Sequence, residues 1–564
     1  MHLSLIVPRK KCIRCFQPSS VTTRFFATSP RFAAIRGALS KPIMGRVTLI
    51  ELLDNSAAEH GEQPGLITSG SLQLTHKELQ DAIDKTAIQL RRIGVKPGNL
   101  VSLAFPNTLE FVVAFIAVTR VRAIAAPLNS AYTEDEFKFY LEDANSTLLL
   151  VPGAEGNKAA EAASKTLGLP IAGVHWEKGS SSGDEIVLTP KDKVEVAPEP
   201  EDGAGPKPDE GDEALFLHTS GTTSRPKGVP LTQKNLASSI KNIIATYELT
   251  PSDRTLIVMP LFHVHGLMAA LLSTLVSGGA AVLPSAGRFS ASSFWSDIRD
   301  NHVTWYTAVP TIHQILLKVH KSKPESEYPK LRFIRSCSSS LAPPVLADLE
   351  ASFKAPVLEA YAMTEASHQM TSNPLPHHGV HKPGSVGKAT GIELAILDDD
   401  GSILKPGEIG EICIKGPNVT SGYKNNPDAN QVAFAFDWFH TGDRGKLDEE
   451  GYLSLTGRIK ELINRGGEKI SPLEIDAVLL AHPAVSEAVA FAAPDDHFGE
   501  EVNAGIVLNK GTEATAMDIV EHCKKNLAPF KIPKRIFFAD ELPRTATGKI
   551  QRRIVAEHFL KTAA

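Results

Sequence analysis

The chain has 564 residues, of which 42% are hydrophobic and 22% charged, with a formal net charge of −5. At roughly 150 residues per domain that leaves room for about three to four domains or subdomains, and it excludes a collagen-like or wholly disordered chain. There is no bulk basic excess for nucleic acid, and apolar runs such as 111–118 fall short of the roughly 20 residues that span a bilayer, so no transmembrane helix is expected.

The first fifty residues stand apart. No acidic residue precedes Glu51, while basic residues recur from Arg9 to Arg46 among scattered serines and threonines. This is the composition of a mitochondrial transit peptide, with a processing region around Arg24. A disordered basic tail, or an extension upstream of a start at Met44, has the same composition. The chain ends Lys-Thr-Ala-Ala, which is not the Ser-Lys-Leu peroxisomal address. Mitochondrial placement is therefore expected, with cytosolic and peroxisomal placement as alternatives. Five cysteines are too few for a disulfide framework and fit a reducing compartment. The pair Cys12 and Cys15 has no partner pair at zinc-site spacing.

The stretch 74–94 reads as an amphipathic helix. Thr75 and Glu78 form a capping box, Leu79, Ile83 and Leu90 share a face, and Gly94 ends it. Short β-rich runs follow at 100–105, 147–151, 214–218, 255–259, 304–309, 331–336 and 356–361. Apolar helical stretches lie between several of them, so the expected architecture is α/β with largely parallel sheets. The stretch 179–213 is rich in Gly, Pro, Ser, Asp and Glu and reads as a solvated loop. After Gly457 a charged stretch leads into a β/α-mixed tail of a size to form a separate small domain.

The segment 218–229, His-Thr-Ser-Gly-Thr-Thr-Ser-Arg-Pro-Lys-Gly-Val, follows a predicted strand. Hydroxyls at Thr219, Ser220, Thr222 and Thr223, glycines at Gly221 and Gly228, and the cation of Lys227 suit a polyphosphate, which is rich in acceptor oxygens and negative charge. A flexible Ser/Thr/Gly loop would look similar, but the preceding strand and the lysine weigh against it. The Walker A spacing fails, which disfavours a P-loop NTPase or kinase.

Other segments stand in order behind it: Pro260-Leu-Phe-His263-Val-His265-Gly266, Leu331 to Pro343, Tyr361-Ala-Met-Thr364-Glu365, Trp438-Phe-His-Thr-Gly-Asp443, Gly457-Arg458-Ile-Lys460 and Pro543-Arg-Thr-Ala-Thr-Gly-Lys549. Singly they are weak. A Thr-Glu pair is more often a helix cap, Thr-Gly-Asp a turn, a lone histidine a satisfied core residue, and Lys549 one surface lysine among many.

Taken together, these segments resemble the adenylate-forming superfamily of acyl-CoA synthetases, adenylation domains and beetle luciferases, from about residue 50 to residue 552. Ser224 and Ala362 stand where that family often has glycine. The resemblance implies an N-terminal AMP-binding domain over 44–457 built of stacked α/β subdomains, a hinge at 458–461 and a small mobile α+β domain over 462–564. It implies ATP, Mg²⁺ and coenzyme A. Thr219, Ser220, Gly221, Thr222, Thr223 and Lys227 would hold phosphates, and Tyr361 would pack on adenine. Thr364 would donate to the α-phosphate, Glu365 would ligate the metal, and Asp443 would hold the ribose hydroxyls. Arg458 would contact ribose or phosphate, and Gly466 and Gly467 would face pantetheine. Lys549 would stabilise charge as pyrophosphate leaves, and His263 would stand at the mouth of the acid pocket.

The acid itself is suggested by polarity. The segment 331–343 carries Ser336, Cys337, Ser338, Ser339 and Ser340, and Glu365 is followed by Ala-Ser-His368-Gln369. Polar groups buried against an alkyl chain are unfavourable, whereas a small polar acid satisfies them. These two segments are most similar to those of the oxalate–CoA ligases of plants and fungi, with His263, Ser338 and His368 as donors to the second carboxylate. A medium-chain or aromatic acid is the alternative within the class, and loading of a carrier protein instead of coenzyme A is another.

Overall fold

The computed structural model describes residues 48–153, 155–180, 183–192, 196–219, 226–544 and 550–562. The basic leader at 1–43, together with Ser220, Gly221, Thr222, Thr223, Ser224 and Lys549, lies outside the described residues.

The expected helix over 74–94 spans His76–Arg92. Its capping box forms as the sequence requires. Glu78 N–H donates to Thr75 Oγ1 at 3.1 Å, and Thr75 N–H donates to Glu78 Oε2 at 2.8 Å. The helix Leu109–Arg120 is buried along most of its length, on every side, which accounts for its unbroken apolar run.

Two large sheets form the frame. The first orders its seven strands as Gly183–Pro190, Ile171–Ser180, Leu148–Pro152, Leu100–Leu103, Ile124–Pro127, Glu213–Thr219 and Lys227–Thr232. Its centre is parallel and its strands there are buried along their whole length, as a sheet covered on both faces demands. The second has nine strands, with Arg254–Leu256, Ala280–Leu283, Trp305–Ala308, Phe333–Ser336 and Val357–Met363 parallel to their neighbours and His368–Ser372 antiparallel beyond them. A four-stranded antiparallel sheet ends at Arg458, and a five-stranded sheet starts at Ile463 and packs against helices Pro472–Leu480, Ala516–Asn526 and Arg552–Thr562. This is the expected α/β architecture: a large N-terminal part and a small C-terminal one.

One expectation fails. The stretch 179–213, read as a loop, contains the strand Gly183–Pro190, paired antiparallel with Ile171–Ser180. Its composition is polar, but Ile186 and Leu188 alternate inward and are buried. Gln89 clamps the strand from the neighbouring helix, donating to Ile186 O at 2.7 Å and accepting from Leu188 N–H at 2.8 Å. Two buried residues at period two and a paired backbone suffice for an edge strand.

Candidate active site

The phosphate segment is the connection of an antiparallel hairpin. Glu213–Thr219 and Lys227–Thr232 pair with His218 opposite Gly228 and Thr219 opposite Lys227. Lys227 Nζ lies 4.1 Å from the centre of the Tyr423 ring. Burial lowers its pKa, the Glu365 carboxylate opposes that, and Lys460 adds to it. The loop lysine, the hinge lysine and the Glu365 carboxylate therefore lie within electrostatic reach of one another. Two cations brought within reach of one another favour an anion between them.

Glu365 follows the strand Val357–Met363 and is buried, 6% exposed. Its Oε1 accepts from Tyr423 O–H at 2.8 Å, and its backbone oxygen accepts from Thr420 N–H at 2.7 Å. Burial raises its pKa, against the pull of Tyr423, Lys227 and Arg458. A buried carboxylate with a neutral hydroxyl on one oxygen, and no ion pair among the described residues, keeps lone pairs for a hard cation, so the residue fits Mg²⁺.

Asp443 is buried at the middle of the strand Phe439–Leu447. Tyr361 O–H donates to its Oδ2 at 2.5 Å, and Arg458 Nε–H donates to its Oδ1 at 3.1 Å. Burial raises its pKa, opposed first by Arg458 and then by Tyr361. The turn bearing Asp443 is braced from behind by Glu411, which accepts from Gly442 N–H at 2.9 Å and contacts His440 Nδ1 at 2.9 Å. Tyr361, Asp443 and Arg458, chosen separately from the sequence, meet here. Thr364 follows Met363 directly and precedes the metal candidate.

At the acid end, the structure brings Ser338 and His368 together through a residue the sequence reading passed over. His265, fully buried, contacts Ser338 Oγ through Nδ1 at 3.0 Å and Thr307 Oγ1 through Nε2 at 2.6 Å. Its ring stacks on that of His368 with centroids 5.3 Å apart. His263 instead accepts the His265 N–H on its own Nδ1 at 3.1 Å, bracing the turn. The turn is tight because Gly266 packs on the chain behind it. A Cβ there would fall 2.4 Å from the Pro260 carbonyl oxygen. It opens a π-helix, His265–Leu272, a geometry often found at functional sites. Ser338 and His368 have φ of 75° and 102°, and Ser367 has 50°, conformations unfavourable for side-chain-bearing residues. The strain at 367–368 is held by Ser239 O–H donating to Ser367 O at 2.6 Å and by Ser367 O–H donating to Asn418 O at 2.9 Å.

Gly466 and Gly467 have φ of 59° and 94° in the two-residue turn joining Ile463–Arg465 to Glu468–Ile470. That turn itself needs left-handed backbone at both positions, whatever approaches it. The ends of the undescribed segment 545–549 are fixed by a bridge between Arg544 and Ile550. Arg544 also donates to Thr311 Oγ1 at 2.7 Å on the helix Pro310–Ser322, and it pairs with Glu487 at 2.6 Å. Arg544 thereby ties the C-terminal part to the large part.

Beside Tyr361, burial pushes the Glu359 carboxyl up to about 8, with only the Gly384 N–H at 3.0 Å favouring its ionised form. The unfolded chain ionises this group near its ordinary value. Between there and about pH 8 the native state therefore holds more protons, and stability falls as pH rises, by up to about 1.4 kcal/mol per pH unit. Glu359→Gln keeps an acceptor for Gly384 and removes the titration. Urea denaturation at pH 5 and pH 8 is expected to show a smaller loss for the variant than for the parent; equal losses would rule the assignment out.

Comparison with known proteins agrees with the geometry. Residues 53–424 match the AMP-binding enzyme family, and residues 474–549 match the AMP-binding enzyme C-terminal domain. The chain is 60% identical over 516 residues to an oxalate–CoA ligase of Arabidopsis thaliana, covering 91% of this chain and 99% of that one. It is 48% identical over 482 residues to an oxalate–CoA ligase of Saccharomyces cerevisiae, covering 82% and 87%. Among solved structures it resembles ATP-bound MatB from Rhodopseudomonas palustris at 29% identity and a TM-score of 0.81, covering 92% and 100%. It also resembles MenE from Bacillus subtilis in complex with ATP and magnesium ion, at 32% identity and a TM-score of 0.75, covering 89% and 98%. With both family regions matched in order along one chain, this protein belongs to the family of AMP-binding enzymes.

Proposed function

We propose that the chain is an ATP-dependent, AMP-forming ligase that joins oxalate to coenzyme A. The observation that carries the choice of acid is the polar cluster of Ser338, His265 and His368, whose hydroxyl and imidazole groups suit a second carboxylate and are unfavourable against an alkyl chain. The identity to oxalate–CoA ligases of a plant and a yeast supports it.

In the first half-reaction a carboxylate oxygen of the acid attacks the α-phosphorus of ATP. The bond to the bridging oxygen breaks, and pyrophosphate leaves with the electron pair. Tyr361 and Asp443 orient the nucleoside, with two acceptor sites on the Asp443 carboxylate left for the ribose diol. Lys227 and the hydroxyls of 219–223 hold the phosphates, Thr364 donates to the α-phosphate, and Lys549 supplies positive charge where negative charge develops. Glu365 would hold Mg²⁺, which neutralises polyphosphate oxygens. In the second half-reaction the thiol sulfur of coenzyme A attacks the acyl carbon, the acyl C–O bond breaks, and AMP departs with the pair. Gly466 and Gly467 would face the pantetheine arm. Most of this catalysis is positioning and electrostatics. The basic leader supports a mitochondrial address.

The test is pyrophosphate release with ATP and Mg²⁺ across oxalate, malonate, acetate, octanoate and 4-coumarate, each with and without coenzyme A. Strong coenzyme-A-dependent turnover on oxalate is expected. Preference for octanoate or coumarate would keep the ligase chemistry and overturn the acid, and turnover only with a carrier protein would replace coenzyme A as acceptor.

A further inference from the structure

Arg335 lies on the buried strand Phe333–Ser336 and is completely buried. Its guanidinium donates from Nε to Tyr247 Oη at 2.8 Å, from Nη1 to Thr307 Oγ1 at 3.0 Å, and from Nη2 to His368 Nε2 and Gln369 Oε1, both at 3.1 Å. The Cys337 sulfur is a further partner of the guanidinium, and among the described residues no carboxylate pairs with it. Glu359 stands opposite Ser336 on the neighbouring strand, but burial keeps its carboxyl protonated up to about 8. An arginine cannot discharge itself by losing its proton. A buried charge without a counterion is destabilising by several kcal/mol. Its retention in a strand whose neighbours Phe333 and Ile334 are apolar calls for an anion that arrives later.

The hydrogen bonds show where that anion would sit. Arginine only donates, so His368 must accept on Nε2 and carry its proton on Nδ1. Thr307 accepts from Arg335 and faces His265 Nε2 at 2.6 Å. With the Thr307 proton directed onto Nε2, His265 donates from Nδ1 to Ser338 Oγ, and the Ser338 hydroxyl is left to donate outward. One cation thus sets two chains of donors, ending at His368 and at Ser338. These are the two residues assigned to the acid.

We propose that Arg335 is the specificity-determining residue of the acid site. Its buried, carboxylate-free charge, relayed through His368 and through Thr307 and His265 to Ser338, selects a small dicarboxylate over a monocarboxylate. Arg335 does not touch the acid and acts by positioning and polarising the groups that do. This rests on the oxalate reading above.

The experiment compares the parent enzyme with Arg335→Met and Arg335→Lys. KM and kcat are measured for oxalate and for the size-matched monocarboxylates glycolate and acetate, and ATP affinity is determined by calorimetry as a check on folding. Arg335→Met is expected to raise the KM for oxalate on the order of 10-fold, the scale of weakening one charge-assisted hydrogen bond to the acid. ATP affinity and turnover of the monocarboxylates should hold. Arg335→Lys, which keeps the charge, is expected to recover a large part of the oxalate preference. If Arg335→Met leaves the ratio of oxalate to acetate KM unchanged, or if every acid and ATP suffer alike and lysine rescues nothing, Arg335 is merely structural and the proposal fails while the oxalate reading stands. If the parent enzyme does not use oxalate, the oxalate reading fails and this proposal falls with it.

Discussion

Lys549→Ala is expected to lower acyl-adenylate formation by roughly 10²-fold or more, the scale of losing one preorganised group that stabilises developing charge. The physical reason is timing. Negative charge spreads over the α-phosphate and the departing pyrophosphate only while the P–O bond breaks, so a cation present there lowers the barrier of the first step alone. The second step breaks an acyl C–O bond and has no use for the same cation in the same place. Thioester formation from supplied oxalyl-adenylate and coenzyme A should therefore be largely spared. Pyrophosphate release and thioester formation measured separately decide the matter, and equal losses in both would remove Lys549 from the role given to it.

Asp443→Ala is the second large effect. The carboxylate already accepts from Tyr361 and Arg458, which leaves lone pairs for the two ribose hydroxyls. Charge-assisted hydrogen bonds contribute about 1.5–3 kcal/mol each, so affinity for ATP should fall by roughly 10- to 100-fold or more. A sharper readout is discrimination. The parent should bind ATP more tightly than 2′-deoxy-ATP, and the variant should bind the two almost alike. A variant that keeps the parent's preference would show that the ribose is held elsewhere. Some of the loss in ATP affinity will come from the Tyr361 hydroxyl and Arg458 losing their acceptor, and the deoxy comparison separates that part because it leaves those two groups unchanged.

The segments proposed to hold ATP stand out in the sequence because their chemistry is local. The segment 218–229, the Thr364–Glu365 pair after a strand and the segment 438–443 are each contiguous. In each, residue type alone points to the chemistry, with hydroxyls and a lysine suited to phosphate, one carboxylate to a metal and another to a diol. The helix His76–Arg92 was legible for the same reason, since its cap and its face are written within one stretch. The strand Gly183–Pro190 was not, because its pairing partner and the clamping Gln89 lie elsewhere in the chain and composition alone argued for a loop.

The acid end depended on tertiary structure. Sequence polarity marked Ser338 and His368, and a motif holding two histidines supplied His263; the turn closed on Gly266 shows that its neighbour His265 reaches Ser338 and Thr307. Tyr423 is 58 positions from the Glu365 carboxylate it bonds, and Arg335 is 88 positions from Tyr247 and 33 from His368. A charged residue within an apolar strand run was visible at Arg335, but whether it met a carboxylate could not be read from the run. Sequence by itself determined the fold class and the order of the motifs, since these follow from residue type and short-range spacing. Tertiary structure decided which side chains surround Arg335, His265 and His368, since a buried charge is defined by the neighbours that fail to neutralise it, and those come from distant strands.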